Sequence, residues 1–464
     1  MRKSLVLAVI LTALSLVFGL GACLEIQEGK DQVQIGQTVL EGDPAAAEGL
    51  SLKNRVTAGY HLFWDISCRF GEAFQTESKF SFTPRQSYEG ETGSVYVGLD
   101  PGFNFSISGV LDLEEDNDGY FAFPLPIEMI RDVAGSTPAG GTHSQALYVR
   151  DYYEYYPLNI DLYLPGIDSY RLEDKQREVT DYFRIPVSRE HIVWMTVTKD
   201  QWGNVAEVSC NEGVGGVQIW AEGALLEDAC YISVNVMKVE EGETVPSEHL
   251  AQFSGIHRIP LVREEDGIFR VDVAHMQPVY DAKGAQVLCM APSFDKTRLL
   301  TAFRQEEGKV YFCEMEPDTG ELLQKEELTG FSGEDSGVWF KIYENFVIAV
   351  SWEGRFWLFE KLPQGGYERK MTGDFNQCPQ ALESMNDNLS IVSMAFDGKR
   401  LAVASGGREQ TDERIVEGVN FYLTVYDARG LLYAGRYENS LSRGEDRLQD
   451  RCMMVEKEPL LLSF

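Results

Sequence analysis

One eight-residue motif occurs twice in the second half of the chain: Ser293-Phe294-Asp295-Lys296-Thr297-Arg298-Leu299-Leu300 returns without a gap as Ala395-Phe396-Asp397-Gly398-Lys399-Arg400-Leu401-Ala402. The Asp and the polar or Gly residues after it favour a tight turn, and the apolar run that follows favours a strand. Between the two copies, Phe346-Val347-Ile348-Ala349-Val350 occupies the place of the strand. We therefore predict three copies of one β unit.

Each copy continues in the same way, with a second strand, a turn and a closing strand. The second strands are expected at 310–313, 355–359 and 421–426, and the turns at Pro317-Asp318-Thr319-Gly320, Pro363-Gln364-Gly365-Gly366 and Asp427-Ala428-Arg429-Gly430. Glycine supplies the positive φ that such turns often need. Hairpin units that repeat every ~40–50 residues are typical of propeller blades, because one blade buries both of its faces only against its neighbours.

Residues 285–440 resemble the WD40-like and quinoprotein-like blades of bacterial β-propellers, in which an Asp-Gly turn precedes a strand of the type Arg-Leu-Ala-Val-Ala. Asp397-Gly398 and Arg400-Leu401-Ala402-Val403-Ala404 carry this resemblance. The Trp-Asp dipeptide of WD40 repeats is absent from the matched turns. The resemblance implies a fold and implies nothing about a ligand.

Similar units can be traced towards the N-terminus. Strands are expected at 60–68, 104–113, 120–123, 147–153, 191–197, 204–210, 229–236, 255–260 and 268–273, with turns at 114–119, 200–203 and 264–267 and one short helix at 127–134. The fold class is therefore all-β, a β-propeller of seven or eight four-stranded blades over residues 51–464. Residues 459–464 are expected to complete a blade with strands from the other end of the chain. The alternative is a β-sandwich over 51–185 in front of a smaller propeller-like domain.

The start of the chain has the layout of an export signal. Met1-Arg2-Lys3 is followed by an uncharged apolar run over 5–18, which is shorter than the ~20 residues of a membrane span. Leu20-Gly21-Ala22-Cys23 resembles the lipobox of bacterial lipoproteins. The resemblance implies removal of residues 1–22, lipid attachment to Cys23 and a membrane-anchored protein on the extracytoplasmic face. The alternative is an ordinary signal peptide with a chance cysteine.

Residues 23–50 are rich in Glu, Gln, Gly and Ala and lack aromatic residues. This composition predicts a lipidated cysteine followed by a flexible tether. The alternative is that the segment contains the first strand of the body, through 33–40.

The chain is strongly acidic, with a net charge of −32 that becomes −34 when Arg2 and Lys3 are removed with the signal. This charge argues against nucleic acid and anionic lipid surfaces as partners. We expect a monomer that contacts the membrane through its lipid. Seven cysteines remain besides Cys23, and none of them has CxxC spacing. Most are expected as buried free thiols, although Cys210 and Cys230 are candidates for a pair across neighbouring strands.

The candidate binding residues are aromatic. Tyr152, Tyr153, Tyr155 and Tyr156 lie in the run Asp151-Tyr152-Tyr153-Glu154-Tyr155-Tyr156-Pro157, where tyrosines beside carboxylates can stack on sugars and bind their hydroxyls. The alternative is a strand whose rings pack on both faces of a sheet. Trp202 lies in a predicted turn and is a candidate for a surface contact.

No pattern in the sequence calls for catalysis, a metal or another cofactor. The six histidines have no metal-ligand spacing, and Gly213-x-Gly215-Gly216 does not precede a helix. The acidic turn with Glu114, Asp116 and Asp118 lacks the Glu at the twelfth position of an EF-hand loop, where Leu125 stands. We therefore expect a non-catalytic binding or scaffold lipoprotein with a protein or glycan partner. The alternatives are a carbohydrate-active hydrolase or lyase at the propeller axis and a sensory or regulatory lipoprotein.

Overall fold

The structure is a computed structural model that describes most of the chain. The described residues are 11–21, 34–58, 62–71, 73–81, 95–111, 113, 125–164, 170–171, 175–240, 243–245, 247–263, 269–305, 307–331, 337–387, 392–410, 415–439, 455–457 and 460–464. Residues 11–21 are helical and exposed. Among the described residues, no helix is both long and apolar enough to cross a membrane.

Strands dominate the described residues. The strands are β1 Ile35–Gly42, β2 Ser51–Ala58, β3 Leu62–Arg69, β4 Gln75–Ser81, β5 Tyr96–Asp100, β6 Phe105–Leu111, β7 Thr142–Tyr148, β8 Asn159–Tyr163, β9 Tyr170–Arg171, β10 Ile192–Lys199, β11 Val205–Glu212, β12 Val217–Leu225, β13 Ala229–Glu240, β14 Glu243–Val245, β15 Gly255–Arg263, β16 Phe269–Val271, β17 Gln277–Asp281, β18 Gln286–Pro292, β19 Leu299–Arg304, β20 Val310–Met315, β21 Leu322–Glu327, β22 Val338–Ile342, β23 Phe346–Ser351, β24 Arg355–Lys361, β25 Tyr367–Asp374, β26 Ser393–Phe396, β27 Leu401–Gln410, β28 Ile415–Asp427, β29 Gly430–Asn439, β30 Val455–Lys457 and β31 Leu461–Ser463. The helices are α1 Ile127–Ser136, α2 Gln176–Phe183, α3 Glu248–Ala251 and α4 Pro379–Asp387.

Backbone contacts divide the chain into two compact units. Unit 1 contains residues 1–90, 350–360 and 368–464, and unit 2 contains residues 91–349 and 361–367. The alternative of a separate sandwich over 51–185 is therefore wrong in its bounds. Strands β2, β3 and β4 belong to unit 1 with the C-terminal part of the chain, and the described residues from Val97 to Ile185 share the core of unit 2 with residues up to Met276.

Unit 2 contains antiparallel sheets, two of which are interleaved in sequence, because β8 and β9 lie between β7 and β10 in the chain. Their strand orders are β5-β8-β9, β6-β11-β10-β7, β12-β13-β15-β16 and β18-β19-β20-β21, with β14 added to β13 and β17 added to β15. We call β6-β11-β10-β7 the β10 sheet. Among the described residues of unit 2, the sheet β5-β8-β9 has three strands and the sheet that contains β13 and β15 has six, so the expected four strands are not found throughout. The six-stranded sheet arises because short strands add to β13 and β15.

The ends of the chain meet in unit 1. Strand β1 pairs antiparallel with β29 in the order β1-β29-β28-β27-β26, and β31 pairs with β2 in the sheet β30-β2-β3-β4. The expected pairing of the last residues with a strand from the other end of the chain is seen for β31, whereas completion of a blade and closure of a ring stay a prediction. The division between the units falls within β23, at the end of β24 and at the start of β25.

The repeated motif forms the same turn in both places. Asp295 Oδ1 accepts hydrogen bonds from the Thr297 backbone and hydroxyl, and Asp397 Oδ1 accepts from the backbone N–H groups of Lys399 and Arg400. Each turn joins the first two strands of a sheet, β18 to β19 and β26 to β27. The later turns also match the prediction, with Gly320, Gly365 and Gly430 at positive φ.

The expected tether does not extend over residues 35–50. Residues 35–42 form β1, as in the alternative with a first strand, and Asp43 accepts the Ala45 N–H at the start of a 3₁₀ turn, Pro44–Ala47. Ala47 and Leu50 are buried in the core of unit 1, which anchors this segment despite its polar composition. Cys23 and the acidic turn at 114–119 lie outside the described residues.

The helix predicted at 127–134 is confirmed as α1, whereas α2, α3 and α4 were not expected. The predicted strand at 147–153 is only partly correct, because β7 ends at Tyr148 and a 3₁₀ turn, Val149–Asp151, follows. The six described cysteines are free and buried, so Cys210 and Cys230 do not form the pair considered above. Burial raises the pKa of both thiols to about 12.

Candidate functional site

Two segments of unit 2 form a surface groove that contains most of the predicted tyrosines. Its walls are Arg150, Asp151, Tyr152, Tyr153, Glu154, Tyr155, Pro186, Val187 and Arg189, and they enclose a depression of about 530 Å³. We call it the tyrosine groove. The segments are held together by two backbone hydrogen bonds, from the Tyr156 N–H to the Ile185 carbonyl and from the Val187 N–H to the Glu154 carbonyl. Tyr155 and Pro186 stand opposite each other in this short antiparallel bridge.

Tyr156 does not reach the groove. Its side chain is fully buried, its ring lies 5.5 Å from that of His191, and its hydroxyl oxygen accepts the Ser188 N–H at 3.4 Å. Burial raises the pKa of Tyr156 above its ordinary value. The alternative interpretation, a ring that packs in the core, is therefore correct for this tyrosine.

The other three tyrosines line the groove and are partly buried. Tyr152 donates a hydrogen bond to Asp132 Oδ2 on α1 at 2.5 Å, and the Tyr153 ring packs 5.9 Å from that of Phe103. Burial is the main cause that raises the pKa of Tyr152 and of Tyr153 to about 12, so both phenols are neutral at physiological pH. Tyr155 is positioned by the backbone bridge. The groove therefore presents neutral aromatic side chains, two of which are fixed by packing or a hydrogen bond.

Two arginines supply positive charge at the groove. Arg150 and Arg189 are exposed, and neither has an ion-pair or hydrogen-bond partner in the part of the chain that the structure describes. Asp151 and Glu154, also exposed, flank Tyr152 and Tyr153 in the chain. A guanidinium group binds a carboxylate or phosphate through two parallel hydrogen bonds. The arrangement can hold an anionic group beside an aromatic surface.

The second wall of the groove was not predicted from the sequence. Pro186, Val187 and Arg189 lie about thirty residues after the tyrosine run, and backbone hydrogen bonds such as the one from Val187 to Glu154 bring the two segments together. Arg150, in contrast, directly precedes the tyrosine run, so its positive charge beside four tyrosines could have been identified from the sequence.

Trp202 is not part of the groove. It lies in the predicted turn between β10 and β11, is 77 % exposed, and donates its backbone N–H to Asp200 Oδ1 at 2.9 Å. In the β10 sheet this turn adjoins the pair Thr142–Thr198, whereas the groove follows the pair Tyr148–Ile192. Thr142 and Tyr148 are six positions apart along β7, which corresponds to a distance of ~20 Å. The five predicted aromatic residues therefore do not form one site.

The remaining sequence motifs show no chemical site in the described residues. Gly213, Gly215 and Gly216 lie in the turn between β11 and β12, as expected. Among the described residues, no group of three His, Cys, Asp or Glu side chains is placed to hold a metal ion.

Comparison with known proteins reveals no shared family. No protein-family model matches the sequence, and no curated protein matches it. Among solved structures, the β-propeller domain of Cps50 (Swd1) from Myceliophteria thermophila aligns with 53 % of this chain and 82 % of its own, at 10 % identity and a TM-score of 0.22. Raptor from Chaetomium thermophilum aligns with 54 % of this chain and 26 % of its own, at 12 % identity and a TM-score of 0.23.

A protein of unknown function from Bacteroides thetaiotaomicron VPI-5482 aligns over more of the chain. The alignment covers 88 % of this chain and 98 % of that protein, at 9 % identity and a TM-score of 0.22. TM-scores this far below 0.5 are too low to establish a shared fold. The antiparallel sheets described above are therefore the evidence on architecture.

Proposed function

We propose that this chain is an extracytoplasmic lipoprotein, anchored in the membrane through Cys23, whose β-propeller body is a non-catalytic binding module. The repeated Asp turns and the successive antiparallel sheets support a propeller. The apolar run before the Leu20-Gly21-Ala22-Cys23 motif supports export and lipidation. In this proposal the tyrosine groove is the ligand site.

The observation that carries the proposal is that Arg150 and Arg189, both at the groove, have no ion-pair or hydrogen-bond partner among the residues that the structure describes. The chain has 73 acidic residues against 41 basic ones, so exposed guanidinium groups have many acidic side chains with which to pair. Arg150 and Arg189 instead remain available on opposite walls of an aromatic depression. Their ligand is expected to carry a carboxylate or similar anion next to a ring or apolar portion, as an acidic glycan or a peptide does.

The chemistry of the groove suits binding better than catalysis. Tyr152 and Tyr153 have pKa values of about 12 and stay protonated at neutral pH, so they offer ring surfaces and are poor general bases. Asp151 and Glu154 are exposed to solvent on the rim. We therefore favour the binding role over the hydrolase, lyase and sensory alternatives, which no contact among the described residues supports.

The test is capture of a ligand by the full chain in detergent, from a solubilised cell envelope and then from purified fractions. The double variant Arg150→Gln/Arg189→Gln should lose binding by about tenfold or more, because each charge-assisted hydrogen bond contributes about 1.5–3 kcal/mol. Added salt should weaken wild-type binding for the same reason.

The matched control removes two exposed lysines of unit 1, as Lys53→Gln/Lys399→Gln. It lowers the net charge equally and should leave ligand capture unchanged. An equal loss of ligand binding in both double variants would show that binding depends on net charge alone, and would contradict a specific site. Turnover of a captured ligand would contradict the non-catalytic role.

A further inference from the structure

The exposed face of the β10 sheet carries hydroxyl side chains in rows that cross its strands. The strand register places Ser144, Thr196, Ser209 and Ser106 in one row and Thr142, Thr198, Glu207 and Ser108 in the next. Within the rows, Ser144 Oγ and Thr196 Oγ1 are 2.8 Å apart, and Thr142 Oγ1 and Thr198 Oγ1 are 3.0 Å apart. Since neighbouring strands are ~4.8 Å apart, each row is ~14 Å long.

The opposite face of the same sheet is buried, which shows that the hydroxyl face is the outer one. Val193, Met195 and Val197 of β10 have no exposed surface. They belong to one core cluster with Met129, Ile130 and Val133 of α1. Alternation along the strand therefore directs Trp194 and Thr196 away from the core and towards solvent.

An exposed indole stands beside the hydroxyl rows. Trp194 is 51 % exposed, and its neighbours across the two adjacent strands are the short side chains of Ala146 and Asn211. A Cβ added at Gly213 would lie 3.7 Å from the Trp194 ring, so the indole rests against a residue without a side chain. The ring is thus accessible above its surroundings, next to the row that contains Thr196.

This face is nearly free of charge on a protein with a net charge of −32. Among the described residues of the two rows, Glu207, between Ser108 and Thr198, is the charged member. These rows therefore contain no cation for an anionic polymer and a single carboxylate to attract a cationic partner. The charge pattern therefore selects a neutral occupant.

The residue types also discriminate between neutral occupants. Serine and alanine are depleted in protein–protein interfaces, yet they form much of this face. A serine or threonine hydroxyl has one donor and two acceptor positions, so those already bonded to each other keep capacity for a further partner. Sugars offer the same mixture of donors and acceptors, together with apolar ring faces that pack on an indole.

We propose that the outer face of the β10 sheet, with Trp194 as its stacking platform and Ser144, Thr196, Ser209 and Ser106 as its hydrogen-bonding row, binds a neutral glycan chain. The site is distinct from the tyrosine groove. It adds a second binding surface to the proposed function and does not depend on the ligand of the groove.

The test titrates the full chain in detergent with cellohexaose, xylohexaose, mannohexaose and maltohexaose, followed by calorimetry and tryptophan fluorescence. At least one of these neutral probes should bind, and polygalacturonate oligomers should not. The Trp194→Ala variant should weaken binding about tenfold or more, and Thr196→Val should weaken it several-fold, because it removes one hydroxyl at nearly constant volume.

Two controls keep the result specific. Trp202→Ala removes an even more exposed tryptophan from the far end of the same sheet and should bind like the wild type. Arg150→Gln/Arg189→Gln should also retain neutral-glycan binding, so failure of the groove and failure of this face give different results. Absence of binding to all four probes, or wild-type binding by Trp194→Ala, overturns the proposal. Trp194-dependent dimerisation without glycan binding overturns it as well, in favour of self-association.

Discussion

His191 and His257 are buried in unit 2 without the contacts that stabilise a charged imidazolium. Neither nitrogen of His191 has a hydrogen-bond partner, and its ring lies among those of Phe103 and Tyr156. The nearest carboxylate oxygen, of Glu212, is 3.7 Å from Nε2, which is too far for a hydrogen bond. His257 contacts the Tyr182 hydroxyl through Nδ1, while its Nε2 has no partner. Burial lowers the pKa of each imidazole from 6.5 to about 4.

Acid should therefore destabilise unit 2. In the unfolded chain both histidines bind protons below about pH 6.5, whereas in the folded protein they do so only near pH 4, so stability is lost as pH falls through this window. At pH 5 the loss is about 2 kcal/mol per histidine. Denaturant unfolding at pH 7.5 and pH 5.0 measures it.

The variant His191→Leu should reduce the pH 7.5 to pH 5.0 difference by about 2 kcal/mol, because it removes one of the two groups. His249→Leu, at an exposed position, should keep the wild-type difference. An unchanged difference in His191→Leu would mean that His191 takes up its proton over the same pH range in the folded and unfolded chain, and would contradict its lowered pKa.

The two Asp turns show how one element tolerates different residues. In the turn before β27 the residue after Asp397 is Gly398, at φ +89°, and in the turn before β19 the corresponding residue is Lys296, at φ +55°. A left-handed conformation costs a non-glycine residue roughly 1–2 kcal/mol. The hydrogen bonds of Asp295 hold the turn in the same form despite this cost.

Substitutions at Lys296 and Gly398 should change the free energy of unfolding in opposite directions. Lys296→Gly should stabilise unit 2 by about 0.5–1 kcal/mol, the relief of backbone strain being partly offset by the entropy of glycine in the unfolded chain. Gly398→Ala should destabilise unit 1 by about 1 kcal/mol, since a Cβ at Gly398 meets no atom within 4 Å and only its positive φ opposes it. Thermal and denaturant unfolding measure both changes. Stabilisation by Gly398→Ala would show that its φ is not left-handed.

At the scale of the whole molecule, both ends of the chain fold into unit 1. Strand β1 pairs with β29, and β31 pairs with β2, so residues from the beginning and end of the sequence share its sheets and its core. If Cys23 carries lipid as proposed, twelve residues lead from it to Ile35, a span of at most ~40 Å. The lipid would therefore hold unit 1 within this distance of the membrane surface.

The anchor is tested by Cys23→Ser. The wild-type chain should incorporate labelled palmitate and sediment with membranes, because two or three acyl chains give durable attachment. The variant should lose the label and the membrane association while keeping the folded body. Labelling of the variant, or its retention on membranes after a high-salt wash, would contradict attachment at Cys23.

Local sequence patterns were sufficient for much of the secondary structure. The paired strands around Trp202, the strands beginning at Ala229 and Gly255, helix α1 and the glycine turns lie where they were expected. Each depends on alternation, helical periodicity or turn chemistry within about ten residues. Helices α2, α3 and α4 were missed, and residues 35–42 were assigned to a tether, because their order comes from packing against distant residues.

The all-β class, the repeated Asp turn and the expectation of an export signal follow from the sequence, since they depend on neighbouring residues. The contacts between distant residues settle which tyrosines face solvent, that Arg189 joins Tyr155 in one groove, and that serines and a threonine from four strands form a continuous row. The physical reason is register: a shift of one residue between strands turns each side chain to the other face of the sheet.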